Sequence, residues 1–262
     1  RHPLAHVRTI KDVEEFNWPN VDAYEFLVKN VCKKAREIYE KSEYATVIDV
    51  DVLFHRYQWL RGFEQWLLDI KLNPKLHKAI ADRIYYINST LAMRLLNEVG
   101  KYTDIVKLSD DFGTSTAPFM SPQDFRIHVK PYFKDFIGRV KKQFPHIKFY
   151  LHSHGQIMDL IPDLIDCGID ILNPILPLDN MDPVRLKREF GSQLAFEGGI
   201  DVEHVLIFGT VDEVKEHVKR VIDILAPGGG FIFKVQAISP LIPYENLSTA
   251  YKLAAEYGRY NK

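Results

Sequence analysis

The sequence predicts an α/β fold of the (β/α)8 barrel kind, and three observations carry that expectation. Short β-branched or aromatic runs alternate with helical patterns along the 262 residues, as in a parallel sheet with helical crossovers. The runs are nearly continuous in apolar character, as strands covered on both faces are. Polar residues collect at or beyond their C-terminal ends, where a barrel gathers its site at one mouth. A chain of this length suits one such domain, 1–262.

Six runs read as strands: 45–51 (ATVIDVD), 104–111 (DIVKLSDD), 148–155 (KFYLHSHG), 170–175 (DILNPI), 194–201 (LAFEGGID) and 231–236 (FIFKVQ). Eight are needed, and the first residue is Arg1 rather than Met, so the expectation is a barrel lacking part of its N-terminal region. The longest helical pattern runs from Pro74 to Val99, with Leu76, Ile80, Ile84, Ile87, Leu91, Leu95 and Val99 on one stripe. Ser121-Pro122-Gln123-Asp124 and Thr210-Val211-Asp212-Glu213 are helix starts with caps. Asp182-Pro183 opens a short helix that Gly191 stops, and Gly168 stops the helix carrying Leu160, Leu164 and Ile165. Pro131 inside a helical pattern predicts a kink. Gly228-Gly229-Gly230 precedes a strand and reads as a helix C-terminal turn, since phosphate-cradling glycines follow a strand and open a helix. Trp66, Tyr85 and Tyr86 read as packing residues.

Composition narrows the function classes. The 46% apolar share excludes disorder, and 34 basic against 35 acidic residues give no general field for nucleic acid or an anionic membrane. No stretch approaches the ~20 apolar residues of a spanning helix, and the N-terminus has no signal-like apolar core. Two cysteines, Cys32 and Cys167, make no disulfide framework and fit a reducing cytoplasm, with Cys167 read as a core residue. Expected partners are a small-molecule substrate, with no nucleic acid and no membrane; a homodimer is left open.

Chemistry-bearing residues sit at the strand ends. Asp110-Asp111 are adjacent carboxylates that repel, so one buried member would hold its proton near neutral pH, with three roles open to it: orienting a pyrrole nitrogen, acting as a general acid or binding an amine substrate. The structural alternative is a cap on the turn relaxed by Gly113. Asp201 follows Gly198-Gly199 and is a third catalytic candidate, with Gly199 allowing close backbone approach to a ligand or merely a tight turn. Asn173 and Gln236 are candidate substrate contacts.

The stretches DDFGTSTAPFMSPQDFRIHVKPYFKDFI, YLHSHGQIMDLIPDLIDCGIDILNPILPLDNMDPVRLKREFG, LAFEGGID, APGGGFIF and PYENL resemble the uroporphyrinogen decarboxylase (URO-D) superfamily. The similarity runs from about Val50 to Tyr257 and is nearest to the branch of corrinoid-dependent methyltransferases. The resemblance implies a (β/α)8 barrel and two activities: cofactor-free decarboxylation of a tetrapyrrole, or methyl transfer to or from the corrinoid of a partner protein. The methyltransferases hold zinc through a His-x-Cys pair and a later cysteine. This chain has His152-Ser153-His154-Gly155 at the first place and Lys234-Val235-Gln236-Ala237 near the second. The thiolates are therefore replaced. Two imidazoles at i and i+2 suit one metal, zinc or another divalent ion, with Glu197 as third ligand; the alternative is that they only hydrogen-bond. The reading favoured is an O-demethylase-like methyltransferase whose corrinoid comes only with a partner protein. The alternatives are uroporphyrinogen decarboxylase itself, which needs an N-terminal arginine cluster, and a degenerate ligand-binding barrel.

Overall fold

A computed structural model describes residues 2–236 and 239–260, with the side chains of 24–30 excepted. It divides into two compact units: 1–111 with 119–152 and 159–169, and 170–262 with the loop segments 112–118 and 153–158.

In the first unit the elements are α1 (Ile10–Glu15), α2 (Glu25–Lys41), β1 (Val47–Asp49), α3 (Phe54–Arg61), α4 (Phe63–Leu72), α5 (Pro74–Val99), β2 (Ile105–Ser109), α6 (Pro122–His128), α7 (Lys130–Gln143), β3 (Lys148–His152) and α8 (Ile161–Cys167). The strands run parallel in the order β1-β2-β3, with Val47 opposite Ile105 and Ser109 opposite His152. Along β2 the side chains of Val106 and Leu108 are buried while Lys107, between them, reaches Asp49 of β1 at 2.7 Å. The core is aromatic: Phe54, Tyr57, Trp66, Phe125, Phe133 and Phe149 are fully enclosed. A buried guanidinium lies at its edge. Arg61 pairs with Asp69 at 2.7 Å and donates to the carbonyls of Leu4 and Val7 at 2.6 and 2.7 Å.

In the second unit the elements are β4 (Ile171–Ile175), α9 (Pro183–Phe190), β5 (Ala195–Gly198), α10 (Val211–Leu225), β6 (Phe231–Ile232) and α11 (Tyr244–Tyr257). The strands are again parallel, in the order β4-β5-β6, with Ile171 opposite Ala195 and Phe196 opposite Phe231. Every residue of β4 is buried, as a strand covered on both faces requires. Helix α10 opens with the expected Thr210–Glu213 capping box and buries Val214, Val218, Val221 and Leu225.

All six strands lie where the sequence places them, but each is shorter. The polar tails such as Asp110-Asp111 leave the ladder to make side-chain contacts. Pro131 gives a break rather than a kink: α6 ends, Val129 intervenes, and the proline sits in the first turn of α7, where its missing N–H costs nothing. Gly168 stops α8 in the left-handed region at φ 99°. The three glycines after α10, all at positive φ, turn the chain into β6. Among the described residues there is no seventh or eighth strand, and no helix is long and apolar enough to cross a membrane.

Candidate active site

The ends of β1 and β2 and the start of α3 build the first cluster. The residues ahead of α3, Val52 and Leu53, are apolar, and Leu53 provides no side-chain cap. Asp110 caps the helix from a distance instead: its Oδ1 accepts from the backbone N–H of His55 at 2.7 Å. Its own N–H donates to the His152 carbonyl at 3.0 Å, which holds the carboxyl against the end of β3. Asp110 is 2% exposed and its Oδ2 has no hydrogen-bond partner. Burial pushes its pKa up to about 7, against the pull of the His55 amide and imidazole. Asp111, next along, places Oδ2 3.6 Å from Nε2 of His55 and thereby raises the imidazole's pKa. One residue further on α3, Arg56 pairs with Asp51 at 2.6 Å. A carboxylic acid that stays protonated near neutrality, beside an imidazole biased toward its charged form, is an arrangement for moving a proton.

A second cluster belongs to the other unit. Asn173 on β4 is fully buried and donates from Nδ2 to Glu197 Oε1 of β5 at 3.0 Å, with Gln236 Oε1 at 3.5 Å. Lys234 Nζ lies 2.8 Å from Glu197 Oε1. The expected substrate contacts Asn173 and Gln236 thus meet the expected metal ligand Glu197, and Lys234 is the member that sequence reading missed. The glycines of the loops after β2 and β3 have a direct cause: a Cβ on Gly155 would lie 2.3 Å from the Gly113 carbonyl, so two backbones touch there. Ser153 Oγ accepts from the Phe112 N–H at 3.0 Å and ties the same loops.

Asp201 is placed as a cap, accepting from the His204 N–H at 2.9 Å, while its own N–H donates to His217 Nε2 at 3.0 Å. Gly199, at φ 84°, faces a helix at its Cβ position, where Val221 of α10 would be 3.0 Å away. Among the described residues no three His, Cys, Asp or Glu side chains gather as ligands. Glu197, the expected third ligand to His152 and His154, pairs with the Lys234 ammonium, and both thiols sit in helices away from strand ends. Cys32 on α2 donates to the Glu98 carbonyl, and Cys167 on α8 is buried with its pKa pushed up to about 12. These residues do not fit the zinc site of the methyltransferase branch.

The uroporphyrinogen decarboxylase family model matches residues 57–257. The chain belongs to the uroporphyrinogen decarboxylase (URO-D) family. Among curated relatives, uroporphyrinogen decarboxylase of Geotalea uraniireducens (strain Rf4) is 22% identical over 252 residues, 94% of this chain and 68% of that protein. That of Trichodesmium erythraeum (strain IMS101) is 23% identical over 69% of this chain and 47% of its own length. The match to the Chlorobaculum tepidum enzyme covers 57% of this chain and 39% of that one. The URO-D-family chain therefore spans less than half the length of several relatives it matches. A solved structure described as a methyltransferase from Methanosarcina mazei superposes with a TM-score of 0.72 at 19% identity, over 98% of this chain and 71% of that one. It shares the fold, which places the α/β architecture with the barrels of the URO-D family.

Proposed function

We propose that this URO-D-family chain is an enzyme in which Asp110 delivers a proton to a small-molecule substrate, and that the reaction is methyl transfer from that substrate to the corrinoid of a partner protein. The observation that carries the reading is the buried Asp110 carboxyl with its unpartnered Oδ2 and a pKa pushed up to about 7. As the heteroatom–methyl bond breaks, its electron pair stays on the heteroatom, which takes the Asp110 proton while the methyl group leaves to the acceptor. His55, made more basic by Asp111, lowers the cost of the carboxylate left behind. The methyltransferase of like fold supports this class of reaction.

The curated relatives named uroporphyrinogen decarboxylase favour a second reading. There the same acid protonates the carbon from which a carboxylate departs as carbon dioxide. Two assays separate the readings. Purified protein is given methoxy- and methylamino-compounds with chemically reduced cobalamin, followed by absorbance, and separately uroporphyrinogen III, followed by the carboxyl count of the product. Methyl transfer that falls ~10²–10⁴-fold in Asp110→Asn is the expected result. Loss of carboxyl groups from the porphyrinogen would replace it with the second reading. Turnover unchanged in Asp110→Asn would overturn the role of the acid in both.

A further inference from the structure

Helix α3, which carries His55 of the acid cluster, also borders a cavity. His55 stacks on Trp59, ring centroids 5.9 Å apart and planes 4° from parallel, and Trp59 lines a cavity of about 500 Å³. That volume is in the range of small-molecule sites. Phe16 and Trp18, edge to face at 4.9 Å, form one wall. Ile84, Ile87 and Leu91, on the apolar stripe of α5, form another. The Trp18 indole N–H is spent on the Val13 carbonyl at 2.8 Å, so what this residue offers a ligand is its ring. Trp59 is 58% exposed, an indole kept at the surface beside a hollow. Among the described lining residues Arg56 is the cation; its guanidinium sits 5.0 Å from the Trp59 ring centroid and gives Nη2 to Asp51. A guanidinium has five N–H donors in a planar fork, and one carboxylate does not exhaust them.

We propose that this cavity binds a planar aromatic carboxylate, its ring against the indoles and its carboxylate at Arg56. As the substrate class of the enzyme, this rests on the reading of Asp110 as the acid; as a binding site, it stands by itself. Hydrophobic walls with a single fork-shaped donor select a flat apolar body bearing one anionic group.

Isothermal titration with 2-naphthoate and its neutral analogue 2-naphthamide tests the assignment. Saturable one-to-one binding of 2-naphthoate is expected, weakened at least tenfold in Arg56→Met while 2-naphthamide binding is unchanged. Trp59→Ala, at an exposed position that the fold tolerates, should weaken both at least tenfold, and Leu91→Trp should fill the cavity and abolish both. Asp110→Asn should bind 2-naphthoate as the wild type does, so a failed acid and a failed cavity give different results. No saturable binding, or binding that survives both Trp59→Ala and Leu91→Trp, would overturn the site. Equal loss of the two ligands in Arg56→Met would overturn the carboxylate.

Discussion

A carboxyl group as enclosed as Asp110 costs the fold stability whenever it ionises. Its folded pKa of about 7 lies above the ordinary carboxylate value of 3.8, so the folded state holds a proton that the unfolded chain has released. Stability is therefore lost as pH rises from about 4 through 7. Asp110→Asn should raise the melting temperature at pH 8, by about 2–4 °C for each kcal/mol recovered, with no gain near pH 4. Thermal unfolding at the two pH values checks this, and an unchanged melting temperature at pH 8 would mean that the carboxyl is not penalised. The catalytic counterpart is a rate that declines above pH 7 as the acid is lost. His55→Gln removes the positive charge that holds the Asp110 pKa down. The alkaline limb of the rate profile should then move upward by about one unit; a limb that stays in place would assign it to another group.

Between elements, a fully buried pair joins Arg61, at the end of α3, to Asp69 on α4. Asp69→Ala strands a buried guanidinium and should cost about 3–5 kcal/mol in urea unfolding, far more than a surface pair. A cost under 1 kcal/mol would show that Arg61 is satisfied by the Leu4 and Val7 carbonyls alone. This pair also marks where reading the sequence stops. The strands and the long stripe of α5 were legible because burial writes a period into the chain. Helix α3 was not: its buried face is Phe54, Tyr57 and Arg61, and a guanidinium at a core position breaks the apolar pattern. The same reason hid half of the candidate site. Asp110 was legible as an acid at a strand end, but His55 and Arg56 come from that unread helix. Lys234 meets Glu197 only through the pairing of β5 with β6. For Asp201 and Gly199, expected as a catalytic and a substrate-contacting residue, capping and helix packing account for their placement as well as ligand chemistry does.

At the scale of the whole molecule, a net charge of −1 leaves individual buried groups to set the response to acid. His77 is 1% exposed, stacked on Tyr57 at 4.9 Å with neither ring nitrogen hydrogen-bonded. Burial, and His128 beside it, push its pKa down to about 4. Above the ordinary value of 6.5 the group is neutral in both states; as pH falls from there to 4 only the unfolded chain gains the proton, and up to about 3 kcal/mol is lost. His77→Phe should flatten that decline in urea midpoints measured at pH 7.5 and 4.5, and a parallel decline would exonerate the imidazole. The order of the strands has a consequence in time as well as in space. Joining β1 to β2 means closing a crossover of three helices, α3, α4 and α5, whereas β4 meets β5 across α9 alone. Chain entropy grows with the span to be closed. The later half of the sequence is therefore the cheaper place to nucleate, and in pulse-labelled refolding the amides of β4 and β5 should become protected while those of β1 still exchange.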